Sequence, residues 1–334
     1  IVWWGSGTCE INVTDYSCED IGTDNYYRFE IYDGTNLFNT SDVQGPNITE
    51  DDVAVYYIKG NNSFVDRYGT NYTQLIFYVV DLDRNNAPVV GANASFWITR
   101  DGSTYVKQPV VQTNESGYAV YNFDPGCDPL YVPGVQYWRA GIEDACYVDV
   151  NLTETYQLTV MGTLFNQLEY IYKEGVPYAP PVNLTRGEED IIADIHVRDD
   201  CSVDITDAQV NLTWISEYGN RYNCTLSELG SGIYRCSMNN SKMRARWYNA
   251  EINSSKPPYY HDTLEFIQHN VLFLQTRPVL TNLICINCPV GWGEAAYYNV
   301  TVTDEDLDYV NVTLFVRKPG STFYYQMDKV ELIP

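Results

Sequence analysis

Histidine is nearly missing from this chain. His196, His261 and His269 are the three among 334 residues, and none stands in an H-E-x-x-H spacing or beside a second metal-ligand pair. The G-x-S-x-G elbow, the Walker loop and the G-x-G-x-x-G turn are missing too. Carboxylates abound, but no two are set apart as an acid/base pair, so no enzyme is expected and His196 reads as a structural residue. Positive charge is scarce: 20 Lys and Arg against 44 Asp and Glu leave a formal charge of -24. A phosphate backbone or an anionic bilayer would be repelled, which argues against nucleic acid and charged membrane surfaces as partners. No run of 18 apolar residues occurs, the longest resembling residues 75–80, so no membrane insertion is expected in this segment. Long helix-forming runs of Ala, Leu, Glu and Lys are absent as well. The chain opens at Ile1 without Met or a charged-then-apolar leader, as a processed protein or the ordered part of a longer one would.

What is present points to β-structure. Tyr numbers 30, with 7 Trp and 11 Phe, and aromatic and β-branched residues suit a pleated, half-buried surface. Asn-X-Ser/Thr triplets begin at Asn12, Asn39, Asn47, Asn61, Asn71, Asn93, Asn114, Asn151, Asn183, Asn211, Asn223, Asn239, Asn253, Asn299 and Asn311. Composition alone would give about 3.5 of them. Fifteen spread along the whole length imply an extracellular chain bearing N-linked glycans. In Asn151-Leu152-Thr153, Asn211-Leu212-Thr213, Asn299-Val300-Thr301 and Asn311-Val312-Thr313, strand alternation puts Asn and Thr on one face and the apolar residue on the other. Sheet faces would then carry sugar and cover edges that could otherwise pair wrongly.

Nine cysteines fit an oxidising compartment. Proximity in sequence suggests Cys9 with Cys18, Cys127 with Cys146, Cys224 with Cys236 and Cys285 with Cys288, leaving Cys201 over. The last pair is a C-x-x-C, but zinc would need a second ligand pair. Acidic loops are the remaining metal candidates. Asp304, Asp306 and Asp308 place oxygens at alternate positions as calcium loops do, while Tyr309 and Phe315 stand where an EF-hand has Gly and Glu. Asp81-Leu82-Asp83-Arg84-Asn85 is similar. Bound calcium or solvated Asx turns would both account for them, and no other cofactor is expected.

An internal repeat organises the middle of the chain. Ala92 and Ala208 lie 116 residues apart, and Gly117 and Gly232 lie 115 apart, the size of one sandwich domain. Pro88-Val89-Val90-Gly91-Ala92-Asn93-Ala94 and Thr113-Asn114-Glu115-Ser116-Gly117-Tyr118-Ala119 resemble the immunoglobulin-like and prealbumin-like modules of archaeal and bacterial surface glycoproteins. Gly232-Ile233-Tyr234-Arg235-Cys236 resembles the tyrosine-corner strand of immunoglobulin domains, although Cys224, only twelve residues upstream, favours a cross-hairpin bridge over the inter-sheet one. The resemblance implies fold, not function.

The fold class expected is all-β: tandem immunoglobulin-like β-sandwich domains, with terminal segments forming a domain completed between subunits. The divisions read as an N-terminal β segment over 1–70, domains over 70–175 and 182–278 joined by a stiff linker at Pro177-Tyr178-Ala179-Pro180-Pro181, and a partial domain over 279–334. Neither terminal segment has enough strands for a sandwich. The ends also echo each other, Trp3-Trp4-Gly5 against Gly291-Trp292-Gly293. The expected function is a structural subunit of a glycosylated extracellular filament or surface layer, whose partners are copies of itself joined head-to-tail by strand complementation. The alternative is a cell-surface adhesin or carbohydrate-binding module, since Tyr and Trp stack on sugars.

Overall fold

Alternating apolar residues become strands nearly throughout. The computed structural model describes residues 7–14, 16–263, 266–306, 310–317, 319–320 and 322–332, and among them the one helical element is a 3-10 turn at Cys18–Asp20. Two compact units divide between Gly162 and Thr163.

The first unit contains β1 (Val53–Lys59), β2 (Ser63–Asp66), β3 (Thr73–Asp81), β4 (Asn93–Thr99), β5 (Tyr105–Lys107), β6 (Tyr118–Phe123), β7 (Gly134–Asp144) and the opening of β8 (Tyr156–Lys173). One sheet runs β5-β4-β7-β8, with β2 parallel to β8, and the other runs β6-β3-β1. Alternate residues of β3, Leu75, Phe77 and Val79, are fully buried, and so are Phe96 and Ile98 of β4 and Trp138 of β7. They form one core between the two sheets, where Trp138 and Tyr57 both pack on Tyr156 at centroid distances of 5.0 and 4.2 Å. Aromatic burial on this scale dominates the energy of a sandwich core.

The second unit takes over the same strand, β8, from Leu164 onward. It adds β9 (Val182–Thr185), β10 (Ile191–Asp199), β11 (Gln209–Ser216), β12 (Arg221–Cys224), β13 (Ile233–Met238), β14 (Trp247–Ser255) and β15 (Phe266–Gln275). Its sheets run β9-β15-β14-β11-β12 and β8-β10-β13. Ile191, Ala193, Ile195 and Val197 alternate inward along β10 to meet Leu212, Trp214, Ala250 and Ile252 from the facing sheet.

Both units follow one plan. β6 pairs with β3 through Tyr118↔Tyr78, and β13 pairs with β10 through Ile233↔His196. β2 runs parallel to β8 as β9 runs parallel to β15. Gly117 and Gly232 occupy the same place. Their φ values are +77° and +70°, and a Cβ there would lie 2.8 Å from the Val79 carbonyl oxygen or 2.6 Å from that of Val197. Only glycine fits so tight an entry to the strand. The glycine carbonyls accept from the same valines' N–H groups at 2.9 and 2.8 Å.

Tyr234 departs from the tyrosine corner its strand resembles, bonding to backbone groups 26 and 29 residues upstream and not a few. Its hydroxyl donates to the Ile205 carbonyl at 3.0 Å and accepts from the Ala208 N–H at 2.9 Å, clamping the β10–β11 connection. Tyr234→Phe strands both backbone groups and should cost the second unit about 1–3 kcal/mol. Urea titration followed by near-UV circular dichroism checks this; a loss below about 0.5 kcal/mol would mean that water replaces the hydroxyl.

The terminal segments are built differently. A twisted two-stranded ribbon runs from Gly22↔Ile48 through Tyr26↔Gln44 and Tyr27↔Val43 to Ile31↔Phe38 and Tyr32↔Leu37. Residues 7–14 form no strand, although 10–13 read as one. At the other end β16 (Val279–Cys285) pairs with β17 (Tyr298–Thr303), and β18 (Val310–Val316) with β19 (Tyr325–Leu332), each as a separate two-stranded sheet.

Several expectations need correction. Cys18 bonds to Cys146, 128 residues away with Cα atoms 5.0 Å apart, and not to Cys9, which is exposed and free. The backbone bridge between Asp51 and Tyr147 carries the N-terminal segment past Cys146, a long-range contact no local spacing could reveal. The Cys127–Cys146 pairing is thereby ruled out, and Cys201 is not left over: Cys127 and Cys201 are both disulfide-bonded. Bridges also join Cys285 to Cys288 and Cys224 to Cys236; since Cys224 ends β12 of one sheet and Cys236 lies on β13 of the other, the latter is an inter-sheet bridge and not the cross-hairpin one expected. The stretch read as a linker after residue 176 is partly strand: Val176–Tyr178 folds back on Ile171, Tyr172 and Lys173 through Glu174-Gly175, both at positive φ. The first core begins at Val53 and the second at Leu164, so residues 53–66 lie in the first sandwich and the junction lies inside β8.

Candidate functional site

No nucleophile–base pair is assembled from the residues considered above, and the groups that stand out are the first asparagines of the Asn-X-Ser/Thr triplets, the acceptors if sugar is attached. Thirteen of the fifteen acceptor asparagines are exposed, Asn93 and Asn253 are half-buried, and none is buried. Among the described residues the buried asparagines are Asn166 and Asn240, and neither is the first residue of a triplet, Asn240 being the middle residue of Asn239-Asn240-Ser241. The strand alternation explains the placement. Asn151 and Thr153 are exposed around a buried Leu152, and Asn211 is exposed beside a buried Leu212. Thr213 departs from this: it faces outward but is covered, donating its hydroxyl to Asn223 at 3.0 Å.

In the second unit the acceptors gather on one face. Asn183 on β9, Asn253 on β14, Asn211 on β11 and Asn223 on β12 alternate with the inward Val182, Ile252, Leu212 and Cys224. Asn211 stands directly opposite Asn253, and Thr213 opposite Asn223. The outer face of the β8-β10-β13 sheet has no acceptor among its paired residues. It carries a charged network instead. Arg235 forks onto both Asp194 oxygens at 2.7 and 2.8 Å, donates to the Tyr172 hydroxyl at 2.7 Å, and lies over the Tyr172 ring. Burial, reinforced by the Asp194 carboxylate that accepts its hydroxyl, pushes Tyr172 above its ordinary pKa. His196 is the structural residue expected: its ring nitrogens meet Glu169 at 3.3 Å and Asp204 at 2.8 Å. The hydrogen bond from His196 lowers the Asp204 pKa.

The acidic loop after β17 does local work. Glu305 takes Arg186 at 2.6 Å and the Ala245 N–H at 3.2 Å. Asp306 accepts the Thr276 N–H at 2.8 Å, and Asp304 accepts the Thr276 hydroxyl at 3.3 Å. Burial and a hydrogen bond with Asp304 raise the Asp306 pKa. Asp308 lies outside the described residues. Asp81 caps its own loop, accepting from the Asp83 and Arg84 N–H groups at 3.0 and 2.9 Å.

No sign of the uncovered apolar surfaces was legible from motifs. β16, β17 and β18 line an open cleft of about 690 Å³ with Leu280, Ile284, Val300, Val302, Val312 and Leu314. On the N-terminal ribbon Tyr26, Tyr27, Phe29, Ile31, Tyr32 and Phe38 are all exposed.

No family model matches the sequence, and no curated relative does. Among solved structures, the chain is similar to invasin, a bacterial integrin-binding protein, at 11% identity and a TM-score of 0.36; it covers 80% of its own length and about half, 52%, of the invasin chain. It is similar to a tetra-tandem repeat from the extending region of a large adhesion protein at 13% identity and a TM-score of 0.37, covering 92% of this chain and 69% of that one. A titin fragment, A168–A169, aligns at 13% identity and a TM-score of 0.35, over 66% of this chain and 98% of that one.

Proposed function

We propose that the chain is a structural subunit of an extracellular, N-glycosylated filament or surface layer, joined to its neighbours head-to-tail by strand complementation. The observation that carries this reading is the sorting of asparagine: the first Asn of every Asn-X-Ser/Thr triplet reaches solvent, and the buried Asn166 and Asn240 stand at no such first position. A branched sugar has no room in a core, so a chain glycosylated at fifteen sites needs all fifteen at the surface. Glycans on the β9-β15-β14-β11-β12 face shield it from proteases and from stray strand pairing. Eight disulfide-bonded cysteines suit an oxidising exterior.

Most of the fifteen sites should carry sugar in protein from its native source, the strand-borne Asn151, Asn211, Asn299 and Asn311 included. Intact-mass measurement before and after enzymatic deglycosylation reads the occupancy. A native mass equal to the bare 38.2 kDa would end this reading.

The exposed aromatic side chains of the N-terminal ribbon favour a second reading, an adhesin that stacks sugars on rings. Binding of the purified protein to a glycan array, lost on Tyr26→Ala and Phe38→Ala, would favour adhesion over architecture.

A further inference from the structure

We propose that residues 7–48 and 279–332 are the two halves of one further sandwich, and that the 7–48 half of one copy completes the 279–332 half of a second copy. This rests on the head-to-tail reading above and specifies which strands meet, and in what register.

Position within the repeat identifies each half. In the complete units the opening strand pairs, past one intervening strand, with β3 from Val53↔Asp81 and with β10 from Leu164↔Asp199; β16 pairs with β17 from Val279↔Thr303, one residue short of the corresponding aspartate. The strand paired with the opening one leads into Val-x-Asp each time: Val79-Val80-Asp81 and Val197-Arg198-Asp199 end β3 and β10, and in Val302-Thr303-Asp304 the aspartate falls just past β17. An acceptor triplet opens the following strand at Asn93 and Asn311 and lies within it at Asn211. Residues 279–332 are therefore the first half of a repeat.

Counting back from an opening strand identifies the other half. The last two strands of a unit pair at Gly134↔Val160, 30 and 4 residues before Leu164, and at Trp247↔Phe273, 32 and 6 before Val279. The ribbon pair Gly22↔Ile48 stands 31 and 5 residues before Val53. Gly117 and Gly232 stand 47 residues before Leu164 and Val279, and Gly7 stands 46 before Val53. Gly5-Ser6-Gly7 also matches Gly230-Ser231-Gly232 in sequence. Residues 7–48 are thus the closing half, and β16–β19 lack those strands. Among the described residues neither half pairs with any strand but its own.

Solvent exposure agrees. A lone two-stranded ribbon is marginal in water, and this one presents apolar rings to solvent, while the cleft of about 690 Å³ lies open above Val300 and Val302. Residues 8–13 alternate as a closing strand must: Cys9, Ile11 and Val13 on one face, Thr8, Glu10 and the acceptor Asn12 on the other. Ile11 and Val13 are exposed in the single chain, at 64% and 51%.

The complete units fix the register. Ala119 lies opposite Phe77, and Tyr234 opposite Ile195, all four buried. The equivalent pair is Cys9 of one copy opposite Val300 of the other, with the Val302 N–H donating to the Gly7 carbonyl. One chain contributes each half, so the contact is heterologous and propagates into an open array.

The free thiol of Cys9 provides the test. Val300→Cys in the full-length glycoprotein should give, under mild oxidation, a ladder of covalent oligomers at integer multiples of the subunit mass on non-reducing gels. Thr301→Cys, whose side chain points to the other face, should give none. A monomer with an internal bond or free thiols, a species that stops at the dimer, or an equal ladder from Thr301→Cys overturns the proposal. Ile11→Asp, at an exposed position that folding does not need, should leave a monomer by analytical ultracentrifugation; retained assembly also overturns it. A monomeric protein with its full glycan load would remove this interface and leave the surface-glycoprotein reading standing.

Discussion

Cys18→Ser should lower the stability of the first unit by about 5 kcal/mol, because the bridge to Cys146 closes a separation of 128 residues and loop-closure entropy grows with that length. Cys224→Ser, which opens a separation of 12, should cost the second unit about 3 kcal/mol. Denaturant titration without reductant, read by tryptophan emission, gives both. The order of the two losses is the decisive result: an equal or reversed order would show that the bridges act through native contacts and not through the unfolded chain. The larger loss has a structural companion. The Asp51 N–H donates to the Cys146 carbonyl at 3.0 Å and the Val148 N–H to the Asp51 carbonyl at 3.0 Å. Freed of Cys146, the 3-10 turn at Cys18–Asp20 and the ribbon beyond it lose one of their anchors to the sandwich.

The second large effect is expected at Arg235. Its guanidinium is about one-third exposed, while the Asp194 side chain it holds is only 7% exposed. Arg235→Ala leaves that carboxylate buried without its fork, and removing one partner of such a pair costs about 3–5 kcal/mol, with the lower end fitting the partial exposure of the arginine. Asp194→Asn in the Arg235→Ala background should recover part of the loss, since a neutral amide is cheaper to bury than an orphaned charge. A double-mutant cycle on thermal unfolding measures the recovery; no recovery would mean that Arg235 acts through its stacking on Tyr172 alone.

Strand positions and the repeat were legible because they rest on local signals. The 115-residue spacing of Gly117 and Gly232 marked the repeat, and both had to be glycine to approach a neighbouring carbonyl so closely. The exposure of Asn151 and Asn211 was legible for the same reason, each standing beside a buried leucine. The junction between the units was not. Buried positions continue at every second residue from Tyr156 through Leu158, Val160, Gly162, Leu164 and Asn166 to Leu168, with no Pro or polar break, so one strand serves two cores without a mark in the sequence. The prolines after Val176 drew the boundary away from there, although Val176 and Tyr178 flank Pro177 in a hairpin strand. Cys146 was misread because disulfide partners are set by the path of the chain, which brings Asp51 beside Tyr147.

The parallel pairing of β2 with β8 and of β9 with β15 has a mechanical consequence. Each ladder joins four residue pairs, Ser63↔Leu158 to Asp66↔Met161 and Val182↔Leu272 to Thr185↔Gln275. In each unit a strand near the chain's entry and the strand at its exit are neighbours pointing the same way. Tension along the backbone pulls those neighbours in opposite directions along a common axis. Their slanted hydrogen bonds are then loaded together, in shear, where an antiparallel hairpin pulled from its open end would release them one at a time. A chain of such units holds its length under load until a whole ladder fails at once.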